Sequence, residues 1–304
     1  VPLAVGNLGK GKMPKIWELD FYSRPILDEN GKKVWEVLLC ETPVEISQDA
    51  PLFRFSKFCP STDVNSIWLS GAIAEAIAVA PSPPTAIRFF RQQMKNMITK
   101  SCQDLGIDAV PSRRTIALQG WLEERMAQVY PQDPNYQAAL PSASVRMESA
   151  PASLLPDALL GEKWAFVSLA VSDFADLSEW DIGFGEVFPI LGEKSLVPEL
   201  TPESRIPGVI IFSSRATALA AWMSGLDLAF LSIQQEQPAR LFLETGGSDR
   251  WILANIVNAQ TLSEAQGFLA AKEKAQQVHF LAVQSNPESA SFAGFWLLKQ
   301  IKLP

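Results

Sequence analysis

Ile16-Trp-Glu-Leu-Asp-Phe-Tyr-Ser-Arg-Pro-Ile26, followed after Asp28-Glu-Asn-Gly31 by Val34-Trp-Glu-Val-Leu-Leu-Cys-Glu41, is the stretch that decides the fold. Apolar and polar residues alternate in its first half: Trp17, Leu19 and Phe21 share one face, and Glu18, Asp20, Tyr22 and Arg24 share the other. That period of two predicts a strand covered on one side. Asn30-Gly31 between two such runs is a strong hairpin-turn signal. With those two residues as the turn, Asp20 is expected opposite Glu41.

Working outward, Leu52–Phe58 reads as a third strand, and Ser61-Thr-Asp63 offers caps for a helix over Val64–Val79. A short strand is expected at Thr85–Phe90. Gln92–Leu105 carries Met94, Met97, Ile98, Cys102 and Leu105 on one helical stripe and stops at Gly106. Ile107–Val110 is a further strand. Ser112 then caps an expected helix over residues 113–129, with Leu118, Trp121, Leu122, Met126 and Val129 inward. An antiparallel meander followed by αβαβ is the order of a ribonuclease-H-like sheet, so that architecture is expected by analogy.

Tyr130–Pro156 holds five prolines among Ser, Ala and Gln and reads as a linker. The expected division is therefore an extension over 1–12 with Met13 as a native start, a mixed-sheet domain over 13–130, a Pro-rich linker over 131–156 and an α/β domain over 157–304. The second domain has strands at Trp164–Val171 and Gly208–Phe212 and a helix at Arg215–Gly225. A meander follows (Leu228–Ile233, Arg240–Glu244, Trp251–Ile256). The capping box Thr261-Leu-Ser-Glu264 then opens a helix to Gln277, with strands at Val278–Val283 and Ser289–Lys299 beyond. This partly repeats the first domain's order and extends the ribonuclease-H-like expectation to it. Fold class is α/β with mixed sheets.

Of the 304 residues, 47% are hydrophobic and 19% charged, with a net charge of −7, which excludes a mainly disordered chain and a chain-wide basic coat. Residues 1–150 hold 16 basic and 16 acidic side chains, and residues 151–304 hold 10 and 17, so the second domain carries the whole excess. Apolar runs near residues 71–80 and 216–226 reach about ten residues, against the ~20 of a membrane-spanning helix. Three scattered cysteines (Cys40, Cys59, Cys102) predict reduced thiols. The single histidine, His279, lies within a strand, and no Gly-rich nucleotide cradle is present. Histidine-based catalysis and most cofactor chemistry are thereby disfavoured, and neither a cofactor nor a metal is expected.

Two constellations remain. Asp20, Glu41 and Glu75 form a candidate carboxylate set for Mg²⁺-assisted phosphodiester cleavage. The strand at Thr85–Phe90 adds only Arg88, which leaves that set short of a further acid. Residues 50–115 hold eight basic and four acidic side chains. Among them Arg88, Arg91, Lys95, Lys100, Arg113 and Arg114 are the candidates for phosphate contact. Arg91 and Lys95 are spaced to share a helix side, and Arg113-Arg114 opens a helix whose N-terminal N–H groups favour anions. Tyr22 and Trp121, with Phe89 and Phe90, are candidate stacking surfaces.

The segments Trp17-Glu-Leu-Asp-Phe-Tyr-Ser-Arg-Pro25, Gly31-Lys-Lys-Val-Trp-Glu36, Ile87-Arg-Phe-Phe-Arg-Gln-Gln-Met94, Pro111-Ser-Arg-Arg-Thr115, Trp121-Leu-Glu-Glu-Arg125 and Phe295-Trp-Leu-Leu298 together resemble the Tab-type RNA-binding translation-activator family of chloroplasts and cyanobacteria. The resemblance implies binding of A/U-rich messenger leader RNA and activation of photosystem I message translation. It also implies protein partners in translation or photosystem assembly, and it brings no enzyme activity or cofactor. It implies a cyanobacterial cytoplasmic or plastid stromal setting; with no transit-type leader visible, the cytoplasmic one is expected. Trp296 is expected to pack rather than to touch RNA. The rivals are the Mg²⁺-dependent nuclease and a protein-interaction scaffold with little RNA affinity.

Overall fold

The computed structural model describes residues 15–48, 50–138, 150–236 and 238–301. The expected extension over 1–12 and the Met13 start lie outside them. The chain forms two compact units. The first contains residues 14–43 and 51–147. The second contains 148–300 and also 44–50, a piece of the loop between the second and third strands. Within that second unit the Ile190 and Leu191 amides donate to the Ile46 carbonyl at 3.1 and 3.2 Å. Ser47 also bridges Leu191 in parallel. The unit boundaries thus depart from the contiguous division expected of the chain.

The first unit holds β1 (Ile16–Leu27), β2 (Lys33–Glu41), β3 (Arg54–Cys59), α1 (Ser66–Val79), β4 (Ala86–Phe89), α2 (Lys95–Gln103), β5 (Asp108–Pro111) and α3 (Ile116–Glu124). Its sheet runs β3-β2-β1-β4-β5, antiparallel from β3 to β1 and parallel onward through β4 and β5. The alternation of β1 explains one face. Trp17, Leu19 and Phe21 are buried in a core shared with Leu69, Ala72, Ile73 and Ala76 of α1 and Ile98 and Cys102 of α2. α1 starts at an Asn65 cap, not at Ser61–Asp63, because the Asn65 Oδ1 accepts the Trp68 amide at 2.9 Å.

The expected hairpin register is three residues out at Asp20, which faces Leu38, while Glu41 faces Trp17. The turn is five residues long, since Leu27 pairs with Lys33. The Asp28 carboxylate accepts the Asn30 and Lys32 amides at 2.9 Å each, and Gly31 takes φ +71°. An irregularity between Ser23 and Leu27 absorbs the remaining offset; Pro25 lies there and has no N–H to give the ladder. The last helix also differs. Ser112 Oγ accepts the Arg114 amide, and α3 begins only after Thr115. Residues Arg125–Val129 form a π turn. Its wider winding breaks the 3.6-residue stripe, so Met126 and Val129 are exposed and Tyr130 is buried.

Part of the expected linker is paired. The Leu27 amide donates to Asn135 O and the Gln137 amide to Pro25 O, and Ser153–Leu154 forms β6 of the second unit. That unit continues with β7 (Lys163–Ala170), β8 (Ile182–Glu186), β9 (Arg205–Phe212), α4 (Ala216–Ser224), β10 (Leu228–Gln234), β11 (Arg240–Thr245), β12 (Arg250–Asn255), α5 (Ala259–Lys274), β13 (Val278–Gln284) and β14 (Phe292–Lys299). α5 is capped by Asn258, three residues before the expected box. The meander does not extend the main sheet. It forms its own sheet, β10-β11-β12-β6, beside a second one ordered β7-β9-β13-β14-β8. The ribonuclease-H-like expectation for this domain is thereby corrected. The element order alone hid that strand pairing switches to a second layer.

Both sheets share one core, which includes Val209, Leu231, Leu243, Leu281 and Trp296; Trp296 packs, as expected. Gly208 on β9 faces Phe280 on β13, and a Cβ there would lie 2.3 Å from the ring. Gly208→Ala is therefore expected to cost about 1–3 kcal/mol through overpacking. Thermal unfolding read at the aromatic near-ultraviolet bands checks it, and an unchanged midpoint would refute the close fit.

Two buried bases tie the layers together. His279 Nε2 accepts the Leu231 amide at 2.8 Å, while its Nδ1–H donates to Gln277 O at 2.9 Å. Lys272 Nζ donates to the Leu231 carbonyl at 2.7 Å and to Gln300 Oε1 at 2.5 Å. The backbone of β10, a terminal strand of its sheet, thus has both polar groups of one residue satisfied by side chains from α5 and β13.

Candidate nucleic-acid interface

The second face of the first sheet is charged yet buried. α3 packs on β1 and β2 and covers Glu18, Asp20, Arg24 and Glu36, each at most 3% exposed. Charges so placed must be paired. Asp20 accepts from Arg24 Nη1 at 2.8 Å and from Arg91 Nε at 2.5 Å. Glu36 accepts from Arg24 Nε at 3.0 Å, from the Tyr130 hydroxyl at 2.5 Å and from Arg125. Burial alone would raise the Asp20 carboxyl, but Arg24 and Arg91 together outweigh it and hold it below the ordinary value. Glu18 is the opposite case. Burial pushes it up to about 7, although the Leu118 amide, Arg88, Thr42 and Arg114 all favour its ionised form.

The six cationic candidates divide on this face. Arg88 (0% exposed) stands beside Glu18 in the β1–β4 register. Arg91 is held between Asp20 and the Tyr22 ring, 3.9 Å from its centroid. Arg114 is 4% exposed. The structure places these three in the interior rather than on an open surface. All three are buried, and burial rather than charge decides where they point. Arg91 and Lys95 do not share a helix side, because Gln92–Met94 is a separate 3-10 turn and α2 starts at Lys95.

Lys95 and Lys100 are exposed, with Lys100 bound to Asp104, and Arg113 is half-buried just before α3. Tyr22 is half-buried beneath Arg91. Trp121 is 6% exposed, with Arg54 over its ring at 5.3 Å and Arg125 at 5.7 Å. What the fold brings together is a rim at the C-terminal ends of β4 and β5, where open parallel sheets commonly take ligands. Tyr22 and Arg91 lie in contact there, and Arg113 precedes the N-terminus of α3. Sequence reasoning missed Arg24, Glu36, Arg125 and Tyr130. The clue to them was the presence of opposite charges on neighbouring strands that are otherwise core-like.

The carboxylate set is not assembled. Asp20 is bound to two arginines, Glu41 meets Lys15 at 3.2 Å and the Phe53 amide at 3.2 Å, and Glu75 is exposed and paired with Lys57 at 2.7 Å. Among the described residues no three His, Cys, Asp or Glu side chains are grouped to hold a metal ion. The register correction supplies the reason: Asp20 and Glu41 are three positions apart along the ladder. Cys40, Cys59 and Cys102 are free and buried.

Residues 16–125 match the family described as RNA-binding protein Tab2/Atab2 N terminal, and residues 142–299 match its C-terminal domain. The chain belongs to the Tab2/Atab2 family of RNA-binding proteins. Among its relatives are the protein TAB2 homolog, chloroplastic, of Zea mays, 39% identical over 95% of this chain and 72% of that protein. The Arabidopsis thaliana protein of the same description is 38% identical over 95% and 76%. A solved HTLV-2 integrase catalytic core aligns with 41% of this chain and 80% of its own, at 16% identity and a TM-score of 0.24, which carries no argument. The family is described as RNA-binding, and on the charged face Asp20 and Glu36 are partners of arginines. Among the described residues no helix is long and apolar enough to cross a membrane.

Proposed function

We propose that this chain binds single-stranded, A/U-rich messenger leader RNA and activates translation in photosystem biogenesis, with protein partners, in a plastid stroma or a cyanobacterial cytoplasm. Membership of the Tab2/Atab2 RNA-binding family through both domains carries the reading. The chloroplastic relatives support the setting. Lys95 and Arg113 are the cations best placed to meet phosphate, and Tyr22 is the stacking candidate. Arg54 and Lys57 are engaged by Glu124 and Glu75 and are not counted among the phosphate contacts. The salt dependence should accordingly be shallow. Two or three phosphate contacts predict about a tenfold loss of affinity between ~50 and ~200 mM salt. A/U-rich segments stack weakly and are easiest to splay.

Fluorescence anisotropy of a labelled A/U-rich strand against a G/C-rich control, with and without Mg²⁺, tests this. Preferential binding without cleavage is the expected result. Lys95→Glu with Arg113→Glu is expected to weaken it about tenfold or more, while Lys100→Ala, whose partner is Asp104, changes it little. No binding at either salt concentration would defeat direct recognition and leave the scaffold reading.

A further inference from the structure

We propose that the C-terminal unit carries a pocket for a ribonucleoside sugar, read through its 2′-hydroxyl. The inference deepens the RNA-binding reading and rests on it for the choice of ligand. A cavity of about 230 Å³ lies where β13 ends and β8, β14 and α4 begin. Its chemistry is specific. Asp181 supplies a carboxylate, Thr217, Ser285, Ser289 and Ser291 supply hydroxyls, and Phe292 supplies an apolar wall.

Neither lysine nor arginine lines this cavity and Asp181 stands in it, so an anion would have to sit against a carboxylate. A single carboxylate among hydroxyls is also a poor cage for a divalent cation, which takes six or more oxygens, usually several of them charged or carbonyl. A sugar hydroxyl both donates and accepts. It can donate to Asp181 while accepting from a serine or threonine, and the ring's C–H face can rest on Phe292. Asp181 and Thr217 are exposed, and among the described residues neither side chain makes a hydrogen bond or ion pair. Both are free to take a ligand. Asp181 is tied into the fold by its backbone carbonyl, which accepts the Phe292 amide at 2.9 Å, so its carboxylate can be altered without touching that bond. The 2′-hydroxyl is also the group that separates RNA from DNA. A pocket reading it would give an acidic domain a way to recognise RNA without basic residues.

The ligand chemistry has two sources, a free nucleoside or a nucleotide within a strand, and the test separates them. In the first arm, the full chain is titrated with adenosine, uridine and 2′-deoxyadenosine, and amide chemical shifts are followed at residues 181–183, 216–217 and 285–293. Saturable shifts are expected with both ribonucleosides, with 2′-deoxyadenosine about tenfold weaker, the worth of a hydrogen bond to a charged group. Asp181→Asn should abolish that difference and Thr217→Val should reduce it. If those amides fail to shift with adenosine and uridine, or respond equally to the deoxy form, the pocket is overturned, whatever the chain does with longer strands. In the second arm, the RNA and DNA versions of one A/U-rich strand are compared by anisotropy. Loss of the RNA preference in Asp181→Asn, with DNA affinity unchanged, supports delivery by RNA. An unchanged preference overturns that delivery and leaves the free nucleoside as the source. Failure of the wild-type chain to bind either strand counts against the RNA-binding reading itself, not against the nucleoside result.

Discussion

Asp20→Ala is expected to lower the stability of the N-terminal unit by about 3–5 kcal/mol, the cost of breaking a buried ion pair by removing one partner. The carboxylate is 0% exposed and is the shared acceptor of Arg24 and Arg91. Its removal strands two guanidiniums beneath α3, and Glu36 can still neutralise only one of them, Arg24. Urea unfolding followed at the tryptophans of this unit would measure the loss. Asp20→Ala combined with Arg91→Met should recover part of it, because that pair removes charge as well as partner. A loss under about 1 kcal/mol would mean that the network is solvated and that Asp20 is held for some other purpose. The nuclease reading predicts the contrary pattern, a catalytic defect with stability intact.

The second large effect is a stability that climbs with pH in the C-terminal unit. Burial drives Lys272 down from 10.5 to about 7, against the opposing pull of Glu244. A lysine depressed in the folded state binds fewer protons there than in the unfolded chain between about pH 7 and 10.5. Stability therefore rises through that window. The full span is on the order of 5 kcal/mol, since each tenfold loss of proton affinity on folding is worth about 1.4 kcal/mol. His279, held well below its ordinary value chiefly by burial and secondarily by Lys272, acts in the same direction at lower pH. It contributes fully above about 6.5, and its contribution fades as acid protonates the unfolded chain first. Most proteins are most stable between about pH 5 and 8, so a C-terminal transition more resistant at pH 8.5 than at pH 7 would be distinctive. Calorimetry across that range, on the wild type and Lys272→Met, is the measurement. A variant that keeps the wild-type slope would sink the assignment. Above about pH 9 the N-terminal unit should run the other way, since burial raises the Cys40, Cys59 and Cys102 thiols and their ionisation favours the unfolded chain.

The strands were legible because burial on one face leaves a period of two. Trp17, Leu19 and Phe21 could be placed on the core side from the sequence alone, and so could the stripe of Met94, Ile98 and Cys102 leading into and along α2. The other face was not legible for a physical reason. Alternation reports that Glu18, Asp20 and Arg24 are polar, not whether they meet water or one another. A charged residue in water and one neutralised by an arginine 71 residues away give the same local pattern. The register failed for a related reason: Asn30-Gly31 advertises a tight turn, but Asp28 and Pro25 lie outside the two-residue window and decide the pairing. The end of α3 was misread because a π turn leaves no signature in a 3.6-residue stripe. The family was legible from its scattered motifs, several of whose residues (Trp17, Phe89, Arg91, Trp296) are interior.

The segment 44–50 reaches out of the middle of one unit to become part of the other, so the polypeptide crosses between them after residue 43 and again after residue 50. One cut further along the chain, between the two family-matched halves, would leave both of these crossings intact. The nicked halves should stay associated and behave as a single particle on a sizing column, and two separately expressed fragments should complement each other. Such threading also constrains descent. A domain joined to its neighbour by a simple tether can be lost, copied or shuffled alone, whereas here the N-terminal half gives up a piece of itself to complete its partner. Neither half is then a free-standing module, and the two are expected to be inherited as one unit.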